Sequence, residues 1–222
     1  MTSSKTIRSL VLLLAASGSA VLGTGCAPLL VGGAVAGGVI VATDRRSVGI
    51  QVEDEAIEGR VSRALGSRFF DGNTHRISVN AYNRRVLLTG EVPSEADKAE
   101  AGKLAAAMEN VRVVSNELVI GTVSTQANRN NDAAITTKVK AALLAEKNVP
   151  SGTVSVTTRR SVVYLMGRVS AAEGDLAARA ASRVEGVREV VKLFDLLSES
   201  ELKAIKPAAA PAAAPAAESQ RK

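Results

Sequence analysis

Apolar positions along this chain follow first a helical rhythm, then an alternating one, and the pair recurs. From Asp54 onward, Ile57, Val61, Ala64 and Leu65 return at the three- and four-residue spacing of a helix with one buried stripe. Residues 77–82 and 86–92 then carry strand signals, and the NRR between them predicts a hairpin. Pro93 and Ser94 open a second helix over 95–108, rich in Ala, Glu and Lys. Residues 113–120 read as a third strand. Asp54, just ahead of the first stripe, reads as that helix's N-cap.

The same order returns downstream. A shift of 78 residues pairs Asp54, Ile57, Val61 and Leu65 with Asp132, Ile135, Val139 and Leu143. A shift of 77 pairs Val79, Val86, Leu88, Gly90 and Val92 with Val156, Val163, Leu165, Gly167 and Val169. The second copy thus predicts a helix over 133–145, strands over 154–158 and 162–169, a helix over 171–184 and a strand over 189–196. A one-residue slip between the copies belongs in a loop, where a duplication tolerates change. The predicted fold class is α+β: two tandem αββαβ domains, 54–120 and 132–197, each a three-stranded sheet packed on two helices. Gly90 and Gly167 both end the second strand, where a positive φ or a close backbone approach accounts for them.

What lies outside the repeats reads as delivery and spacing. Residues 1–25 carry Lys5 and Arg8, then an apolar run, then small residues, the layout of a secretory signal peptide. Cys26 follows at once behind LGTG and is the only cysteine, so no intrachain disulfide is available. Its position predicts acylation through sulfur and a lipid-anchored mature N-terminus. Gly23 stands where a lipobox usually has Leu. Residues 26–53 form that N-terminus and a Gly-rich stalk; the apolar stretch 29–42 is 14 residues, against about 20 for a helical span. A polar linker is expected over 121–131, and a disordered Pro/Ala-rich tail over 198–222.

Charge separates the two copies. Repeat one has 9 basic and 10 acidic residues, repeat two 10 and 7, so the net charges are −1 and +3. The copy suited to an anionic surface is the second. Nucleic acid is excluded as a partner, since the strands offer only Tyr82 and Tyr164 for stacking. No catalytic residues, metal ligands or cofactor are assigned: there is no Cys/His/Asp cluster with metal spacing and no G-x-S-x-G nucleophile. A small-molecule substrate is likewise not expected. His75, the single histidine, reads as an exposed loop imidazole. For the hairpin arginines 84, 85, 159 and 160, a solvated turn and a phosphate contact both stand open.

The first helix of repeat two is the most informative element. At 100° per residue Ile135, Val139, Ala142 and Leu143 form the core stripe. Opposite lie Ala134, Thr137, Ala141 and Leu144, flanked by Lys138 on one edge and by Lys140 and Lys147 on the other. A weakly apolar face rimmed by lysines suits an interfacial helix, and these seven residues are the candidate phospholipid-binding set. A face covered by the other repeat, or simply solvated, is the alternative. The matching face of repeat one, with Ala56, Gly59, Arg63 and Gly66, offers no comparable apolar side chain.

Several of these stretches together, ATDRRSVG, ITTKVKAALL, VSVTTRRSVVYLMGRV and ASRVEGVREVVK, resemble the dual BON-domain lipoproteins of the Gram-negative outer membrane. Ala27 after the lipidated cysteine, rather than Asp, agrees with outer-membrane sorting in such proteins. The resemblance implies a non-enzymatic periplasmic lipoprotein that binds anionic phospholipid, largely through repeat two, and supports envelope integrity, including at the division site. Ala134 stands where members of the family carry a bulky aromatic, which implies a weaker lipid contact. The rival reading is a protein-interaction scaffold of the envelope, with lipid contact only at the acyl anchor.

Overall fold

A computed structural model describes residues 44–69 and 73–205. The chain divides into two units, Met1–Val39 and Ile40–Lys222, and every described residue belongs to the second. Its elements are α1 (Val48–Arg68), β1 (Arg76–Tyr82), β2 (Arg85–Val92), α2 (Glu95–Ala106) and β3 (Val113–Ile120), then α3 (Gln126–Ala145), β4 (Val154–Arg159), β5 (Val162–Val169), α4 (Ala171–Ser182), β6 (Glu189–Leu196) and α5 (Glu199–Ala204). A single 3₁₀ turn, Ser151–Thr153, leads into β4.

Each repeat is a three-stranded sheet, in the order β1-β2-β3 or β4-β5-β6, with an antiparallel hairpin and a parallel third strand brought round by the intervening helix. Two helices cover one face of each sheet. Ile57, Val61, Leu65, Val86, Leu88, Val92, Ala101 and Ala105 close the first core. Ile135, Val139, Leu143, Val163, Leu165, Val169, Ala177 and Ala181 close the second. The predicted α+β class with two helices on each sheet is the architecture found.

The first helix of each repeat begins earlier than the apolar stripes alone indicate. Ser47 caps α1, its hydroxyl accepting from the Ile50 amide, and Thr125 caps α3 in the same way through Asn128. The two caps share the 78-residue offset, so the duplication reaches further back than Asp54 and Asp132. The stretch 126–131, read as linker, forms the opening turns of α3. At the other end Ser198 caps the short helix α5 within the stretch read as disordered tail.

Asp54 and Asp132 are therefore not N-caps. Both are buried in mid-helix, 2% exposed, and each reaches the tip of its own repeat's hairpin. The Asp54 carboxylate accepts the backbone N–H groups of Asn83 and Arg84 at 2.7 and 2.8 Å; that of Asp132 accepts those of Arg160 and Ser161, both at 2.9 Å. These tips are two-residue turns in which both residues have positive φ (50° and 62°, 50° and 63°), the conformation a tight hairpin requires. None of the four is Gly. The buried carboxylate supplies locally what glycine would otherwise give, by bonding both amides only in that conformation.

The sheets pack against each other on the faces turned away from the helices. Tyr82, Leu87, Val162, Tyr164 and Met166 bury this seam. Thr157 and Asn80 occupy equivalent positions in the two repeats, and the Thr157 hydroxyl donates to the Asn80 side-chain oxygen at 3.3 Å. An approximate twofold axis therefore passes between them.

Candidate membrane-facing site

α3 buries Asp132, Ile135, Val139 and Leu143 along one side, which turns the opposite side outward. Ala134, Thr137, Lys138, Lys140, Ala141 and Leu144 are all exposed there; Lys147, expected on the same helix, is exposed in the turn that follows, because α3 ends at Ala145. Leu144 is 75% exposed, the most exposed large apolar side chain among the described residues. It borders a shallow cleft of about 330 Å³ that continues the apolar surface past Leu143 to Val154 and Gly152. The seam covers the strand faces and not this helix face. Thr137 turns its hydroxyl back to the Ala133 carbonyl at 3.1 Å, which leaves its methyl group for the surface. Lys138 lies 3.5 Å from Glu185, both well exposed, so that pair is readily exchanged for another partner. Lys140 and Lys147 form no ion pair among the described residues.

The corresponding face of repeat one carries more apolar surface than its sequence alignment with α3 indicates. The opening turns of α1 expose Val48 and Val52, 68% and 61% accessible and one helical turn apart. Their equivalents in α3 are Gln126 and Asn130. Lysines do not rim the valines; Glu53 and Glu55 lie beside them instead.

The hairpin arginines divide between seam and solvent. Arg159 donates to the Ser78 hydroxyl at 2.7 Å, and Arg85 approaches Asp195 at 3.3 Å, both across the seam. Arg84 is exposed, and Arg160, exposed as a residue, still approaches the buried Glu91 carboxylate across the seam at 3.7 Å. Asp195 also accepts from Asn83 at 2.8 Å and from Arg112 at 2.7 and 2.8 Å. Burial alone would raise its carboxyl pKa, but these hydrogen bonds and the Arg112 charge hold it below the usual value.

Beside this cluster, Asp44, Arg45 and Arg46 form a strap ahead of α1: Arg168, whose carbonyl Arg45 binds, is the ladder partner of Asp195. Arg45 forks onto Glu173 at the start of α4 and donates to the Arg168 carbonyl at 3.0 Å. Arg46 bridges Asp44 and Asp54 at 2.8 Å each, with its guanidinium 4.0 Å from the Tyr82 ring centroid. The Tyr82 hydroxyl in turn donates to the Thr153 carbonyl at 2.9 Å, and burial pushes its pKa well above the ordinary value. Arg45 and Arg46 gave no such role to sequence reading. The usable signal was their place just ahead of the Ser47 cap, which the repeat offset exposes.

His75 is half-buried rather than a free loop imidazole. Its ring stacks on Phe69 with centroids 5.1 Å apart and lies 3.7 Å from the Asp97 carboxylate. Among the described residues no group of three His, Cys, Asp or Glu side chains is placed to hold a metal, and no helix is long and apolar enough to cross a membrane. Cys26 lies outside the described residues.

The BON-domain family model matches residues 53–128 and again 131–197. The chain belongs to the BON-domain family. Curated relatives match the chain over most of their length. Outer membrane lipoprotein DolP of Haemophilus influenzae is 35% identical over 181 residues, 81% of this chain and 93% of that protein. The 21 kDa hemolysin of Actinobacillus pleuropneumoniae is 38% identical over 152 residues, 68% of this chain and 78% of the relative. Osmotically-inducible protein Y of Escherichia coli is 38% identical over 156 residues, 68% and 76% of the two chains.

Proposed function

We propose that this BON protein is a lipoprotein of the outer membrane, held at the periplasmic face by an acylated Cys26. Its second BON repeat rests on anionic phospholipid through the outer face of α3, and its role is to bind at that surface in support of envelope integrity. The observation that carries this reading is the exposed Leu144 on an otherwise small-residue face, with Lys138, Lys140 and Lys147 around it. Leucine inserts shallowly while the lysines reach lipid phosphates. Each basic residue near an anionic surface contributes about 1 kcal/mol, so the three lysines give weak, salt-sensitive binding. An acyl chain supplies the second signal that makes residence stable. Likeness to the H. influenzae outer membrane lipoprotein DolP over most of both chains supports the location.

Co-sedimentation of the unit from Ile40 with phosphatidylcholine vesicles, with and without phosphatidylglycerol, tests the proposal. The helices, sheets and apolar cores described above all close within that unit. Binding should rise with the anionic lipid, fall with salt, and drop at least several-fold in the K138E/K140E variant. Binding indifferent to lipid charge and to both substitutions would refute the lipid contact and favour a protein-interaction scaffold.

A further inference from the structure

The outer face of α1 carries two charges that the fold leaves unused. Ile57, Val61 and Leu65 turn inward, so Val48, Val52, Glu55, Ser62, Arg63 and Gly66 are exposed on the opposite side. Arg60 is paired with Glu53 and Arg68 with Glu100. Glu55 and Arg63, by contrast, form no ion pair or hydrogen bond among the described residues. Nor do they reach each other. Their spacing along the helix is about 12 Å, roughly twice that of neighbours three or four residues apart.

The face is symmetric about Gly59. Glu55 stands four residues before it and Arg63 four after; Val52 stands seven before and Gly66 seven after. The acid is thus mirrored by a base, and the apolar knob by a gap. Val52 is 61% exposed, and a Cβ on Gly66 would meet nothing within 4 Å. At Gly59 a Cβ would meet only the Arg63 guanidinium, with Nη1 at 3.2 Å. That exposed group has no partner to hold it there. Turned end for end, the same face sets Arg63 against Glu55 and Gly66 against Val52, twice over. The equivalent face of α3 has lost the arrangement. By the 78-residue offset, Ala133 and Ala141 stand for the two charges, and Asn130 and Leu144 for Val52 and Gly66.

We propose that the outer face of α1 is a self-association surface, on which α1 of a second copy of this chain docks antiparallel with the twofold axis at Gly59. Charge sets direction and register, since a parallel pair in register would align Glu55 with Glu55 and Arg63 with Arg63. Gly59 lets the two helix axes approach closely where they cross. One helix per copy buries less than the roughly 1,600 Å² of a standard interface, so the dimer is weak and concentration-dependent. The helices of the two repeats cover opposite outer faces of the packed sheets, so the dimer leaves both α3 faces uncovered. The inference therefore stands apart from the lipid reading.

Sedimentation equilibrium of the unit from Ile40, at concentrations up to about 1 mM, tests it. The parent should pass from monomer to dimer. E55R and R63E should each weaken the dimer about tenfold or more, because each sets like charges opposite one another at two contacts. G59L, which fills the crossing, should do the same. An equimolar mixture of E55R and R63E should regain association as a heterodimer, and E55R/R63E should regain it alone, since both restore opposite charges at every contact. A parent that stays monomeric, charge reversals without effect, or a mixture no tighter than its components would each overturn the inference. Loss of the dimer in L144D with E55R unaffected would overturn it too, by moving the contact to α3. Vesicle co-sedimentation keeps the two proposals apart. G59L should bind phosphatidylglycerol vesicles as the parent does, and L144D should dimerise as the parent does. A dimer that ignores lipid leaves this inference standing and the lipid reading refuted; a monomer that binds anionic vesicles does the reverse.

Discussion

Arg45 and Glu173 meet in a two-pronged ion pair, with two guanidinium nitrogens each 2.8 Å from a carboxylate oxygen, although 128 residues separate them in sequence. Glu173 also accepts the Ser170 amide at 2.8 Å in the capping box of α4. One carboxylate thus closes a helix and ties the strap ahead of α1 to repeat two. Replacement by Gln keeps a side chain able to cap but loses the charged fork. E173Q should lower unfolding free energy by about 1.5–3 kcal/mol, the range for hydrogen bonds to charged groups. It should also speed amide exchange along β5 near the seam. Denaturant melts and hydrogen exchange check both, and R45Q combined with E173Q should cost less than the sum of the single changes.

Acid should loosen the seam before it unfolds the cores. The Arg45 hydrogen bond holds the Glu173 carboxyl below its ordinary pKa, and Asp195 is held low despite its burial. A depressed folded-state pKa contributes stability that is fully present above the unfolded values, about 4.3 for Glu and 3.9 for Asp. That stability is lost as pH falls through the lower folded values. Glu58 works the other way: burial raises its pKa, so protonation on acidification relieves a penalty. The denaturation midpoint should fall from about pH 5 downward, and the fall should be shallower in the E173Q/D195N double variant.

The buried aspartates should matter more than their caplike sequence positions indicate. D132A leaves two turn amides without an acceptor in a conformation unfavourable to Arg160 and Ser161, at a cost of about 2–4 kcal/mol. D54A additionally strips Arg46 of one of its two carboxylates, so its loss should be the larger. R84G should partly rescue D54A, since glycine takes positive φ freely. Thermal melts of the four proteins rank these effects.

The repeat made most of the fold legible, because buried stripes at helical and alternating spacing survive in both copies. It also marked Asp54 and Asp132 as a pair. Their role was not legible, since an aspartate ahead of an apolar stripe looks the same whether it caps that helix or reaches a turn 28 to 30 residues away. The α3 face was legible for the same reason as the core, being the complement of Ile135, Val139 and Leu143 on the helix. Arg45, Glu173 and Asp195 were not, since each acquires its meaning from contacts between the two repeats, and no local pattern encodes that register. Val48 and Val52 were not legible, because the apolar stripe marks α1 only from Ile57 and the turns ahead of it bury no apolar side chain.

Gly90 and Gly167 share a sequence position, but the two sites are unequal. Gly90 has φ of 123°, and a Cβ there would come within 1.9 Å of the Arg76 carbonyl oxygen. At Gly167 the contact is the Thr153 carbonyl oxygen at 2.8 Å, with no positive φ. A small shift of the 3₁₀ turn relieves the second clash, whereas the first demands remaking the β1–β2 ladder. G90A should therefore cost at least about 2 kcal/mol more than G167A, combining backbone strain with displaced pairing. Chemical denaturation with equal midpoints for the two would show that the β1 edge yields more easily than its hydrogen bonding implies.

Two exposed apolar features compete for the membrane, and charge should decide between them. Leu144 is rimmed by Lys138, Lys140 and Lys147, whereas Val48 and Val52 on α1 stand beside Glu53 and Glu55. An anionic surface draws the first toward it and repels the acids near the second. Replacing Leu144 with Asp removes the inserting side chain and adds a like charge, so binding to phosphatidylglycerol vesicles should fall at least tenfold. The loss should persist at high salt, where the lysine contribution is screened and apolar insertion is what remains. The V48D/V52D variant should bind those vesicles within about twofold of the parent. Both sets lie on exposed helix faces, so far-UV circular dichroism should be unchanged in each, and that control is required because Leu143 beside Leu144 is buried in the core. Equal losses in the two variants would mean that both helices touch the bilayer. A loss confined to V48D/V52D would transfer the membrane face from the second repeat to the first.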